Sequence, residues 1–302
     1  MSKLPEKLIL SQHQCPGDIL MLTAAVRDLK AGFPSIHIDV RTKYPYLWEN
    51  NPYIEKITDR EVKIYPIGYK TPHQSPNSPD REHFIYAFHH SLEQLFDIKI
   101  KKGDGFPDIW LKEEDKLPII DTNKPVLLIN AGSKADFPIK QWPLDYFQTV
   151  IDVCGEKYTV VQIGETISAK HKPLKGVINM INKTPGRLIV QLMYQAAAVV
   201  TGVSFPMHLW AAVNHADDGN RKCVVLAGNR EDYFWEKYPG ADYLSAGCKW
   251  VAAEEGCWKR NLPPVFKTTK ELCTNPVRLD DSHYYANCVG KISPESVIEC
   301  LI

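Results

Sequence analysis

The 302-residue sequence carries no excess of charge: Lys plus Arg and Asp plus Glu both number 36, and the pI is near 7.1. A general nucleic-acid coat needs a surplus of cations to neutralise phosphates, so that class is disfavoured and only a local basic patch is left open. No apolar run approaches the ~20 residues that cross a bilayer, so no stable membrane insertion is expected. Met1-Ser2-Lys3-Leu4-Pro5-Glu6-Lys7 has charge but no apolar stretch behind it, which argues against a secretory signal and for a cytoplasmic protein. There is no Walker A run, no Gly-x-Gly-x-x-Gly and no Asp-x-Asp pair. An ordinary P-loop or dinucleotide fingerprint is therefore missing. Cysteine is scarce in the first 150 residues, which hold only Cys15, whereas five of the eight lie in the last 55. In a reducing compartment such clustering reads as a metal site or packing before it reads as disulfides.

What is present fits a soluble enzyme. Hydrophobic residues make up 44% and charged residues 24%, and at ~150 residues per domain the length suggests two domains. Lys7-Leu8-Ile9-Leu10-Ser11 reads as a strand, broken by Cys15-Pro16-Gly17-Asp18. Ile19, Leu22, Val26 and Leu29 then recur at helical spacing, Gly32 and Pro34 stop the helix, and Ile36, Ile38 and Val40 alternate as a second strand. A long loop is expected over 66–79, a helix over 81–96, a short last strand over 104–111 and a linker over 112–124. The alternation restarts with the apolar run Val126 to Ile129, a helical stripe at Leu144, Phe147, Ile151 and Cys154, and strands over 158–163, 177–181 and 223–226. A helix over 186–196 precedes Ala197 to Val200, and Pro206 stands where a helix opens. Two successive α/β units predict two Rossmann-like domains, with ligands in the cleft at the carboxyl ends of the strands.

Several residues fall where such a cleft would need chemistry. Asp18, in the turn that opens the first helix, is placed either to take a proton from a substrate or simply to cap the helix. Lys134 and Lys140 flank a loop into a helix, where backbone N–H groups, the helix dipole and a lysine suit a phosphate; solvated surface lysines are the plainer reading. Glu165, just past a strand, suits ribose hydroxyls or is an exposed loop glutamate. Thr201-Gly202-Val203-Ser204-Phe205-Pro206-Met207-His208 runs from strand to helix, so Ser204 and the N–H groups near Met207 and His208 suit an anion. His208 is alternatively a satisfied buried histidine.

In order and spacing the motifs Gly17-Asp18-Ile19-Leu20, Phe33-Pro34, Asn51-Pro52-Tyr53-Ile54, Lys140-Gln141-Trp142-Pro143 and Ser204-Phe205-Pro206-Met207-His208-Leu209 resemble glycosyltransferase family 9. The resemblance implies an α/β GT-B fold of two Rossmann-like domains facing across a cleft. It divides the chain into an acceptor-side domain over 1–122, a nucleotide-sugar domain over 123–245, and a Cys-rich segment with a terminal helix over 246–302. It further implies inverting transfer from a nucleotide diphosphate sugar, ADP-heptose first, to a hydroxyl of a protein, glycan or other acceptor. In that reading Asp18 is the general base and no catalytic metal is needed. Gly17, Lys134, Lys140, Glu165, Ser204, Phe205, Met207 and His208 then line the donor site. The family commonly has Asn-Asp-Ser-Gly-Pro-Met-His where this chain has Val203 and Phe205 at the Asp and Gly positions, so the donor sugar is open. The tail resembles that of the protein O-heptosyltransferases of bacterial autotransporters, in which four cysteines hold iron. Cys248, Cys257, Cys273 and Cys288, separated by 8, 15 and 14 residues, match those positions. Four thiolates suit structural iron or zinc, and four small buried residues are the plainer reading. Two other functions stand beside the transferase: a non-catalytic sugar-nucleotide-binding protein, motivated by Val203, and a metal-stabilised interaction module.

Overall fold

A computed structural model of the chain describes residues 4–60, 62–69, 82–134, 138–166, 169–170, 172–229, 233–247, 273, 275–278 and 284–302. The chain opens with β1 (Lys7–Gln12), α1 (Pro16–Gly32), β2 (His37–Thr42), β3 (Ile64–Pro66) and α2 (Ala87–Phe96). These form a parallel three-stranded sheet in the order β2-β1-β3. Helix α1 is buried over nearly its whole length, from Gly17 through Leu29, because other elements cover it on several sides.

The second half contains β4 (Val126–Ile129), β5 (Ser133–Lys134), α3 (Leu144–Cys154), β6 (Thr159–Gln162), β7 (Ala169–Lys170) and β8 (Ile178–Asn179). It continues with α4 (Leu188–Gln195), β9 (Ala196–Gly202), α5 (Phe205–Ala216), β10 (Lys222–Leu226), α6 (Tyr233–Glu236) and β11 (Asp242–Leu244). Six of these strands build a parallel sheet in the order β11-β10-β9-β4-β6-β8. Central strand β4, Val-Leu-Leu-Ile, is buried at every position, as expected of a parallel strand covered on both faces. Two strands, β12 (Pro276–Arg278) and β13 (Tyr284–Ala286), pair antiparallel near the end of the chain.

One face of the six-stranded sheet packs on α3 and on the C-terminal helix Pro294–Leu301. The other face shares a single apolar cluster with the first sheet, running from Leu8 and Leu10 through α1 and α5 to Val225 and Tyr243. The seam between the halves is thus core. Helix α4 grips the linker from the second half. The Gln195 side chain accepts from the N–H groups of Ile119 and Ile120 (both 2.9 Å) and donates to the Ile120 carbonyl (2.6 Å). Arg187, just before α4, donates to both oxygens of buried Asp115 and to the carbonyls of Tyr46 (3.0 Å) and Trp110 (2.8 Å).

The alternation of strands and helices expected from the sequence is present, with one correction. The segment 104–111 is not a strand. Its polar groups bind α1 side chains in place of a ladder: the Asp108 N–H donates to Thr23 Oγ1 (2.7 Å), and Arg27 donates to Asp108 (2.8 Å), Asp104 (3.1 Å) and the Phe106 carbonyl (3.1 Å). Most of the expected loop over 66–79 lies outside the described residues.

Candidate active site

The N-termini of α1 and α5 meet at the seam between the halves. A Cβ at Gly17 would lie 2.8 Å from His208 Cδ2 and 3.6 Å from the Phe205 Cα, so only glycine lets the two turns come this close. Pro16 opens α1, and Cys15 occupies its N-cap position. Asp18 sits in the third position of the helix, where its Oδ2 accepts from the Cys15 N–H (2.9 Å). The capping role is therefore real. It occupies one oxygen, and the other, Oδ1, accepts from the Tyr69 hydroxyl (2.6 Å).

Strands β4 and β9 end side by side and shape the turn into α5. Asn130, at the end of β4, donates from Nδ2 to Thr201 Oγ1 (3.2 Å) and Ser204 Oγ (3.3 Å). Ser204 takes the N-cap position of α5, and its hydroxyl also donates to the Gly202 carbonyl (3.3 Å). Phe205 is the first helical residue, Pro206 the second, and the Met207 N–H closes the turn onto the Ser204 carbonyl (3.0 Å). Lys140, from the turn Pro138–Lys140, donates to the Val203 carbonyl (3.0 Å). Its ammonium and the first turn of α5 thus bring positive charge to one place. The Val203 side chain is buried in the core, so the position that commonly carries Asp in the family faces inward here.

His208 is a buried histidine, with Nδ1 2.8 Å from the Tyr238 hydroxyl. Burial, then His83 and the Lys140 charge, push its pKa down to about 3. Burial pushes His83 down to about 4, against a backbone contact with Glu236 that favours the charged form. The His83 ring lies 4.7 Å from the ring of Tyr238, so two neutral imidazoles bracket one phenol across the seam. His83 is half-buried, His89 is buried with Nε2 2.8 Å from Asp28, and His90 is exposed.

The other expected site residues fall elsewhere. Glu165 is exposed just past β6. It touches the first half electrostatically: burial, then Tyr44, then Glu165 raise the pKa of the Tyr46 phenol. The Lys134 backbone pairs with Ala169 in the β5–β7 ribbon. Cys273 and buried Cys288 both pack at the apolar cluster beneath the C-terminal helix, while Cys248 and Cys257 lie outside the described residues. Among the described residues no three metal-ligating side chains come together. Tyr69, Tyr238 and Asn130 lie beside these residues and carry no motif that would have singled them out.

Residues 69–217 match the family model of glycosyltransferase family 9 (heptosyltransferase). Over that stretch, just under half of the chain, the sequence is similar to the family 9 glycosyltransferases. The matched span contains Tyr69, Lys140, Glu165 and the whole turn into α5, and it begins beyond Asp18. Solved structures similar to this chain include a family 9 protein from Veillonella parvula DSM 2008, at 18% identity and TM-score 0.61 over 99% of this chain and 97% of that one. The iron-containing dodecameric glycosyltransferase TibC from enterotoxigenic E. coli H10407 is similar at 15% identity and TM-score 0.64, over 98% and 77%. TibC has also been solved with ADP-D-β-D-heptose. E. coli ADP-heptose lipopolysaccharide heptosyltransferase II is similar at 16% identity and TM-score 0.58, over 98% and 97%. At these identities the likeness is one of fold, two Rossmann-like halves of the GT-B type. No curated protein matches the sequence.

Proposed function

We propose that this protein is a glycosyltransferase that moves a sugar from a nucleotide diphosphate donor to an acceptor hydroxyl with inversion, using Asp18 as general base. The leading donor is ADP-heptose, which TibC binds. The observation that carries the reading is the close approach of Gly17, next to Asp18, to the first turn of α5, whose preceding Val203 carbonyl Lys140 binds. Asp18 takes the acceptor's proton as the hydroxyl oxygen attacks the anomeric carbon. The bond from that carbon to the diphosphate oxygen breaks, and the diphosphate leaves with the electron pair. Lys140 and the first turn of α5 then face the charge that develops on the leaving group. Gly17 lets α1 approach, Ser204, Phe205, Met207 and His208 form the wall beside the diphosphate, and Glu165 and Lys134 serve the nucleoside and diphosphate from the rim. In this assignment residues 1–122 present the acceptor and 123–245 hold the donor.

Cys248, Cys257, Cys273 and Cys288 are assigned to a structural iron or zinc. Their thiolates are the right donors for either metal, and two of them share one apolar cluster. The metal would tie the tail to the second half, and no step of the transfer passes through it.

The test is thermal-shift binding against nucleoside diphosphates and their sugars, followed by ADP release from ADP-heptose by the wild type and Asp18→Asn. A selective upward shift with ADP and ADP-heptose, with release lost in the variant and binding kept, is expected. A shift with UDP or GDP alone overturns the heptose assignment. Release that survives in Asp18→Asn overturns the base.

A further inference from the structure

We infer that Tyr69 is the positioning residue for Asp18: its hydroxyl fixes the rotation of the carboxylate and holds it ionised. The inference rests on the reading of Asp18 as the base. Oδ2 is tied to the backbone by the Cys15 N–H at 2.9 Å. The Tyr69 hydroxyl closes the second point at 2.6 Å on Oδ1. These two donors engage opposite oxygens of the carboxylate and oppose its rotation.

Tyr69 is itself held by aromatic edges. Its ring meets Phe84 at 4.5 Å and 89° and Phe88 at 5.1 Å and 86°. Phe84 in turn lies 4.7 Å from Trp235 of α6, so both halves set the position of the hydroxyl. Burial, followed by the charge of Asp18 and the bond to it, keeps the phenol protonated, which makes it a donor throughout the working pH range.

Other titratable groups stand at the same seam. Cys15 lies on the same helix as Asp18, and buried Glu236 on α6 acts electrostatically on Tyr69. His83 and His208 are neutral above about pH 4 and about pH 3. Lys140 donates to the Val203 carbonyl beside His208. A hydrogen bond donated to the ionised carboxyl favours that form.

Tyr69→Phe removes the hydroxyl and keeps the ring. In protein labelled at the aspartate carboxyl carbons, with the Asp18 signal assigned by its loss in Asp18→Asn, Tyr69→Phe is expected to raise the Asp18 titration midpoint by ~1–2 pH units, the size of one charge-assisted hydrogen bond. The acid limb of ADP release from ADP-heptose is expected to move with it. Replacing Tyr69 by 3,5-difluorotyrosine keeps the shape, strengthens the donor and is expected to shift the midpoint the other way. A midpoint that stays put in both proteins overturns the inference, including where Asp18→Asn abolishes release and the base reading stands. If release survives in Asp18→Asn but the midpoints move in opposite directions, the base reading fails while the Tyr69–Asp18 coupling holds.

Discussion

At Gly17 the argument reduces to one missing methyl group. The atom that Gly17→Ala adds would sit 2.8 Å from His208 Cδ2, and His208 is pinned through Nδ1 to Tyr238. The N-termini of α1 and α5 must then part, at a cost of about 1–3 kcal/mol for overpacking, seen as a lower melting temperature. Donor binding should weaken as well, and adding His208→Ala should return part of the loss, because the two changes share one contact. The turns that carry Gly17, Asp18, Lys140 and Ser204 could be read from the sequence, since each lies between a strand and a helix and its signals are local. Tyr69 could not. Its role depends on Phe84 and Phe88 and on a partner 51 residues earlier in the chain, and nothing local marks that pairing.

Among the elements, α4 has the most specific task. Arg187, Gln191 and Gln195 follow one another at steps of four, so they line one face of the helix and all reach the linker. Gln195→Leu leaves the Ile119 and Ile120 N–H groups without their acceptor and is expected to destabilise the fold by about 1–3 kcal/mol in chemical denaturation. Arg187→Met strands the buried Asp115 carboxylate, which is expected to cost about 3–5 kcal/mol; pairing it with Asp115→Leu should recover most of that loss. The strands β1, β2, β4, β6 and β10 could be read from sequence because each is a short apolar run or an alternating one. The segment 104–111 looks similar but forms no ladder, because Arg27 and Thr23 of α1 take up its polar groups. Periodicity reports which residues are apolar, not which backbone will lie beside them.

For the whole molecule, the histidines at the seam couple folding to pH. His83 and His208 titrate near 4 and 3 when folded and near ~6.5 when unfolded, so between those values the unfolded chain binds more protons. Their contribution is fully present above pH ~6.5 and falls as pH drops, with a slope approaching ~2.7 kcal/mol per pH unit for the pair. His83→Asn can still accept the Ile85 N–H, and it is expected to flatten that slope by about half in urea titrations at pH 5 and 7. A separate loss follows at lower pH. Asp28, Glu82 and Asp115 are each raised by burial but brought below their ordinary values by their cationic and hydrogen-bonding partners. Their stabilisation is present above pH ~4 and disappears as pH falls through the folded values. The apolar cluster shared by the two sheets has a further effect, on synthesis. Helix α1 is among the first elements to leave the ribosome, yet Phe205 of its partner α5 follows Gly32 by 173 positions. At ~5–20 residues per second, the face of α1 that α5 covers stays bare for ~10–35 s. Nascent chains stalled before residue 205 should therefore be held by chaperones, and those stalled well beyond residue 216 released.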